Sequence, residues 1–361
     1  MNNTIFEKVL ILDAGSEGKA VARVNDRVIF VPFVVPGDIV DIKIVSKKKS
    51  FFEGIAIKIH HYSEKRTLPF CEHFGTCGGC RWQNMEYSEQ LHYKLKQVED
   101  NFQRIGHIEA ANILPILPSS RIKYYRNKLE YTFSNHRWLT DHDRSAEKLP
   151  EKEMNALGYH IPLMFDKILD ISNCYLQPDP SNSIRLIAKE YAQARDLEFY
   201  NVRQWKGFLR NLLIRNTLTG DLMVIMVFRY NDEKEISAFL DHLAGKFPEI
   251  TSLYYVINDK KNDIINDLDF VLYRGKPFMT EKFLSLKQDK MMEYRIGPAS
   301  FFQTNSEQAI NLYRIAGEMA EFTGDETVYD LYTGIGSIAN YIASSVKKVI
   351  GIESVSAAIE D

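Results

Sequence analysis

The chain has few cysteines, almost no net charge and no long apolar run, and each shortage excludes something. Four cysteines in 361 residues, Cys71, Cys77, Cys80 and Cys174, are too few for a disulfide scaffold. Three of them lie within one short loop, a pattern of metal binding rather than of cross-linking. Lys and Arg number 45 against 48 Asp and Glu, a net charge of −3, so the molecule is no polycation and any polyanion must be met by local patches. No apolar run approaches the roughly 20 residues that a membrane helix needs. The opening stretch Met1 to Leu12 carries Glu7 and Lys8 inside its apolar part, which argues against a secretory leader and for the cytoplasm. Internal repeats and low-complexity segments are also missing.

What is there suffices for two or three domains: the chain is 45% hydrophobic. Near its end, the apolar run Thr327-Val328-Tyr329-Asp330-Leu331 leads into Tyr332-Thr333-Gly334-Ile335-Gly336-Ser337. A helical pattern follows through Ile338, Ile342 and Val346, then a second apolar run, Lys348 to Ile352, that stops at Glu353. This predicts a strand–loop–helix–strand unit whose glycines let backbone approach a ligand, with an acid placed to accept both hydrogen bonds of a ribose diol. A nucleoside-containing cofactor fits. The stretch Gly334 to Ala339 also satisfies the loose dinucleotide pattern, and a plain tight turn with a solvated Glu353 is the bland alternative.

Taken in order, residues 1–62 read as an OB-like β-barrel, with alternating runs at Ala20–Val24, Val28–Phe33 and Ile39–Ile44 between turn signals. Lys47, Lys48 and Lys49 beside Phe51 and Phe52 suit either a nucleic-acid grip or a solvated hairpin tip over core rings. Cys71, Cys77 and Cys80 are spaced C-x5-C-x2-C around Gly78 and Gly79, whose amides can point at sulfur; Cys174 is the only further thiol. Zinc favours two paired ligand loops, so an iron–sulfur cluster fits this spacing better. A helix is expected over Ser88–Ile105, with Ser88 as cap and Gly106 as stop. From Tyr125 to Phe133 apolar residues alternate with Arg126 and Lys128, which could offer a basic face, joined by Arg210 and Arg215 of a hairpin at Phe208–Val227. Further helices are expected over Ile184–Leu197 and Ile236–Phe247, a strand over Leu253–Ile257 and a surface loop over Arg137–Glu153. Phe301 and Phe302 beside Gln303 and Asn305 suit a platform for a flat base, or equally a helix entry with both rings in the core.

In this order, Cys71-x5-Cys77-Gly78-Gly79-Cys80 with Gln83, then Cys174, then Ser300-Phe301-Phe302-Gln303-Thr304-Asn305 and Asp330-Leu331-Tyr332-x-Gly334-x-Gly336 resemble the iron–sulfur RNA (uracil-5-)-methyltransferases, the RumA type acting on 23S rRNA. The resemblance covers essentially the whole chain. It implies a multidomain α/β protein: a TRAM-like RNA-binding barrel at 1–62, a central β-rich α+β domain with an iron–sulfur cluster at 63–290, and the start of a Rossmann-like class I methyltransferase domain at 291–361. It implies S-adenosyl-L-methionine rather than NAD as cofactor, held by Gln303, Tyr332, Gly334, Gly336, Ser337 and Glu353. It places Phe301 on the target uracil and a [4Fe-4S] cluster on Cys71, Cys77, Cys80 and Cys174. Thr333 departs from the family's frequent cysteine at that position, and Ser337 stands where a larger polar residue can occur.

The family's route adds a cysteine thiolate to uracil C6, so that C5 becomes nucleophilic enough to take the methyl group, after which a base removes the C5 proton. With all four cysteines assigned to the cluster, the nucleophile and base are expected downstream of this sequence, and the chain by itself is expected to be inactive. A monomer acting on RNA, 23S rRNA before tRNA, is the expectation; a non-catalytic iron–sulfur RNA-binding protein and an NAD-linked iron–sulfur oxidoreductase are the rivals.

Overall fold

Alternating side chains close the first five strands on themselves. In the computed structural model, which describes residues 4–110, 112–140, 143 and 154–360, these strands are β1 (Ile5–Ala14), β2 (Lys19–Val24), β3 (Arg27–Pro32), β4 (Ile39–Lys47) and β5 (Phe51–His61). They form a closed barrel in the order β1-β2-β3-β5-β4. Only β3 and β5 run parallel. Val9 and Ile11, Ala20 and Ala22, Ile29 and Val31, Val40 and Ile42 point inward at every second position and make the core. The expected OB-like barrel is present, with β1 and β5 flanking the three runs legible in the sequence. Phe52 packs half-buried against that core while Lys47 Nζ lies 5.6 Å from its ring centre, so it is neither a free platform nor a core ring.

The same compact unit, Met1–Ser120, includes the cysteine loop and one helix. Buried Asp38 is the fastener: its carboxylate accepts from Arg66 Nε at 2.8 Å and Nη2 at 2.7 Å, and from the Val35 and Ser63 amides. Helix α1 (Tyr87–Asp100) packs Tyr93 with Met85, Val35 and Ala14. Its cap position is Glu86 rather than Ser88, and it widens into a π-type turn at Asn101–Gly106. His107, at φ 51°, takes the left-handed stop expected of Gly106.

The second unit, Arg121–Asp361, is built on a mixed sheet. Its elements are β6 (Lys128–Ser134), β7 (Ala156–Ile161), β8 (Met164–Asp170), α2 (Ser181–Ala194), β9 (Leu209–Asn216), β10 (Leu222–Phe228), α3 (Glu233–Lys246), β11 (Ser252–Ile257) and β12 (Val271–Gly275), with strand order β12-β11-β10-β9-β6-β7-β8. β9 and β10 form the expected hairpin, and α3 crosses over to bring β11 parallel to β10. Every residue of β10 is buried, as a central strand covered on both faces must be. Most of the charged Arg137–Glu153 stretch, read as a surface loop, lies outside the described residues.

A ribbon of β13 (Met279–Leu284) and β14 (Met291–Ile296) leads into α4 (Ser306–Met319). Then come β15 (Thr327–Leu331), α5 (Ser337–Ile342), β16 (Lys348–Ile352) and α6 (Ser356–Glu360). β15 and β16 pair parallel, Thr327 with Lys348 through Leu331 with Ile352, so the expected strand–loop–helix–strand unit is present. One core runs from Met223, Ile225 and Val227 of the large sheet through Phe283, Phe302 and Tyr313 to Tyr341 and Ile342 of α5. Among the described residues no helix is long and apolar enough to cross a membrane.

Candidate active site

Parallel pairing ends both β15 and β16 at one edge, and the chain must turn there twice. At the first turn Tyr332 takes φ 62°, and Gly334 and Gly336 take 58° and 73°. Glycine adopts this region freely, whereas a bulky tyrosine does so at a cost. Asp330 holds the turn from below. Its Oδ2 accepts the Thr333 hydroxyl at 2.7 Å and the Ala339 amide at 3.1 Å, so one carboxylate fastens the loop to the start of α5. Thr333, buried where a cysteine was the alternative, also donates its amide to Ile352 O at 3.1 Å, which ties the two turns together.

Glu353 completes the second turn. Its Oε2 accepts from the Gly334 amide at 2.9 Å, and its Oε1 from the Ser354 and Val355 amides at 2.7 and 3.0 Å. These backbone donors, Val355 first, then Gly334 and Ser354, hold its carboxyl below the ordinary carboxylate value. A carboxylate has about four acceptor positions, and three amides occupy part of them. Of the two oxygens Oε2 is engaged by a single amide and has room for a further donor, whereas Oε1 accepts from the Ser354 and Val355 amides and the Ser354 hydroxyl. Above the turn there is space, since a Cβ placed on Gly334 would meet no atom within 4 Å. The Tyr332 ring is 91% exposed beside it. Open glycine backbone, an ionised acid and an exposed ring fit a nucleoside cofactor.

Ser337 is anchored inward. Its hydroxyl pairs with Tyr313 Oη at 3.1 Å, and its carbonyl accepts from Tyr294 Oη at 3.1 Å. It opens α5 and fixes that helix to α4 and β14.

The two phenylalanines before α4 divide the roles left open by the sequence. Phe301 is 74% exposed, whereas Phe302 is 7% exposed and stacks on Phe283 at 6.0 Å. Asn305 caps α4, accepting from the Gln308 amide at 3.0 Å. Gln303 is exposed too, but its carbonyl is held: Asn127 Nδ2 donates to it at 2.7 Å and to Ser306 Oγ at 2.9 Å, while the Asn127 amide donates to Thr304 O. Ser306 in turn donates to Glu281 Oε2 at 2.9 Å, in a buried site that raises the Glu281 carboxyl above its ordinary value.

Arg215 corrects the expected basic face. It is 4% exposed, and its guanidinium donates to the Gly297, Pro298 and Ser300 carbonyls at 2.9 to 3.1 Å, splinting the approach to Phe301. Arg210, 1% exposed, donates likewise to the Asn258, Lys260 and Asn262 carbonyls and to Asp263. Both face inward because strand alternation in a sheet covered on both sides leaves no solvent face. Lys128 is half-buried, and burial lowers its pKa. Asn127, Arg215 and Asp330 are the organisers that the sequence did not disclose; Asn127 and Arg215 bond mostly to backbone carbonyls distant in sequence, and Asp330 to the Thr333 hydroxyl and the Ala339 amide.

The cysteines are arranged less clearly. The Gly79 amide donates to Cys77 Sγ at 3.4 Å, the amide-to-sulfur contact expected of that loop. Cys174 belongs to the second unit, where its amide donates to Asn182 Oδ1 and its sulfur lies 3.8 Å from Tyr159 Oη. Among the described residues no three His, Cys, Asp or Glu side chains converge as they would around a metal ion.

Residues 7–57 match the TRAM domain. The chain is 53% identical over 349 residues to an uncharacterized RNA methyltransferase of Bacteroides thetaiotaomicron, covering 96% of this chain and 75% of that one. It is 47% identical over 357 residues to another from Porphyromonas gingivalis, covering 97% and 75%. Among solved structures it is similar to the tRNA (uracil-54, C5)-methyltransferase of Pyrococcus abyssi in complex with S-adenosyl-L-homocysteine. That match has a TM-score of 0.67 and 26% identity over 98% of this chain and 74% of the other.

Proposed function

The chain belongs to the RNA methyltransferases, and on that premise we propose that it serves the transfer of a methyl group from S-adenosylmethionine to C5 of a uracil in RNA. The observation that carries this reading is the turn pair itself, with Glu353 bonded to Gly334 below an open glycine backbone. The similarity to a uracil-C5 enzyme holding S-adenosylhomocysteine supports it. When bound, the cofactor supplies an electrophilic methyl group on a sulfonium. Glu353 Oε2 would accept a ribose hydroxyl, Tyr332 would cover the adenosine, and the Gly334–Gly336 backbone would give close approach. Gln303 would bind from the preceding segment. Phe301, splinted by Arg215 and Asn127, would stack on a uracil drawn out of its helix. The residues gathered here bind and orient; the thiolate implied for addition at C6 is not among them.

The barrel supports RNA as partner through its TRAM match, and 23S rRNA bound by a monomer remains the finer proposal. A [4Fe-4S] cluster on Cys71, Cys77, Cys80 and Cys174 rests on their sequence spacing and on the family resemblance, and no step is routed through it. Iron and sulfide analysis tests that part; a colourless, metal-free preparation ends it. For the reaction, nucleosides of total RNA from cells with and without the gene are compared by mass spectrometry. Loss of one 5-methyluridine from 23S rRNA is expected. Loss from tRNA instead would move the target, and loss from neither would end the reading.

A further inference from the structure

Apart from the turns at Gly334 and Glu353, the second unit contains a cavity of about 540 Å³ between the start of the β7 strand, the end of α2 and the turn at Asn201–Gly207. Its lining is unusual in chemistry: Asn135, Asn155, Gln193, Asn201 and Gln204 bring carboxamides to one place. Carboxamides present a donor and an acceptor side by side, the complement of a nucleobase edge. Apolar lining comes from Met154, Leu197 and Phe199, which suits the faces of a flat ring. The volume lies in the range of small-molecule sites.

Two observations separate this cavity from an ordinary surface hollow. Asn135 lines the cavity, and its Oδ1 is buried with no hydrogen-bond partner among the described residues; a turn of that side chain would present the acceptor to a ligand, and an unmet buried acceptor costs stability until a donor is supplied. The turn is also built in advance. Asn201 Oδ1 accepts the Arg203 and Gln204 amides at 3.1 and 3.0 Å, its amide donates to Lys206 O at 2.6 Å, and its Nδ2 lies 3.2 Å from His136 Nε2. Charge then selects within the nucleotide. Asp196 and Glu198 line the cavity against a single cation, Lys206, which disfavours a phosphate and favours an uncharged base. Along the same turn Trp205 is exposed with Lys261 Nζ 3.9 Å from its ring centre, and exposed Arg203 donates to Asp166 Oδ2 at 2.6 Å.

We propose that this carboxamide-lined cavity takes a single unpaired nucleobase of the RNA substrate, at a place other than the one where methyl transfer occurs. The proposal rests on the reading of the chain as an RNA-modifying protein. Holding a second base outside its helix would fix the register of the strand and thereby select which uracil reaches Phe301.

Two pools of short single-stranded RNA of random sequence, one carrying 4-thiouridine and one 6-thioguanosine, are photo-cross-linked to the full chain, and the attached peptides are read by mass spectrometry. Cross-links within 193–207 are expected from at least one pool. They should be lost, with RNA affinity lowered by about fivefold or more, in the double variant Gln193→Ala, Gln204→Ala. Gln204 is exposed, so the single variant Gln204→Ala serves where the double variant folds poorly. Cross-links confined to the barrel or to Phe301, or affinity unchanged in either variant, overturn the proposal. Adenosylmethionine binding, measured in parallel, separates the two readings: its failure would count against the methyl-transfer reading and leave the cavity's cross-links to be judged independently.

Discussion

Asn127 Nδ2 donates to the main-chain oxygen of Gln303 at 2.7 Å, across 176 positions of sequence. The bond joins the entry to β6 with the segment that displays Phe301, so the display is a property of the sheet rather than of the loop. Asn127→Ala should lower stability by about 1–2 kcal/mol, and Arg215→Ala, which strips three carbonyls of a charged donor, by about 3 kcal/mol or more. Urea denaturation checks both. Equal, small effects would show that the guanidinium is not the main splint.

Phe301 and Phe302 should separate cleanly. Phe302→Ala removes a buried ring and should cost about 3–5 kcal/mol of stability. Phe301→Ala should leave the denaturation midpoint in place and weaken binding of single-stranded RNA by about 1–3 kcal/mol, the worth of one base stacked on an aromatic ring. Loss of stability in the Phe301 variant would remove it from the substrate surface.

At the cofactor turn, Glu353→Ala should weaken S-adenosylmethionine binding by about tenfold or more, read by calorimetry, since it removes a charged acceptor. Gly334→Ala tests the open space: its Cβ would meet no protein atom, so a loss of affinity there beyond the backbone cost of about 1 kcal/mol for φ 58° would report a ligand pressed against the turn. Unchanged affinity in both variants would move the cofactor elsewhere.

Glu281 sets a pH dependence. Burial raises its carboxyl above the ordinary 4.5 despite the bonds from Leu218 and Ser306. The folded state therefore binds its proton more tightly than the unfolded chain does. Its stabilising contribution is complete below about 4.5 and is lost as pH rises through the raised value. Glu281→Gln should flatten that fall in thermal denaturation scans from acid to neutral pH; an unchanged profile would show that another group carries it.

Much of this was legible in the residues. Period-two alternation revealed the barrel, the β9–β10 hairpin was written as two apolar runs, and Gly334, Gly336 and Glu353 marked the parallel unit. What stayed hidden has one physical origin. Arg210 and Arg215 look like surface cations in a strand pattern, because nothing local says that a sheet will be covered on both faces. The bonds that arrange the site, from Asn127, Arg215 and Asp330, end mostly on backbone atoms, and a backbone atom leaves no signature in a sequence. The choice between a displayed ring and a core ring at Phe301 and Phe302 was likewise decided by Phe283, a residue on another element.

The closed barrel has a consequence for how RNA can be read there. With β4 returning to β1 and β5 meeting β3 at Val28, Ile29 and Phe30, no strand stands at a free sheet edge, and an incoming chain could add only along the parts of β1 and β5 beyond their paired residues. Recognition is then left mainly to outward side chains, since the inward ones and the connection that carries Val34 and Asp38 hold the barrel together. Outward positions of a barrel built this way can change what they meet while the inward residues that hold it together stay the same.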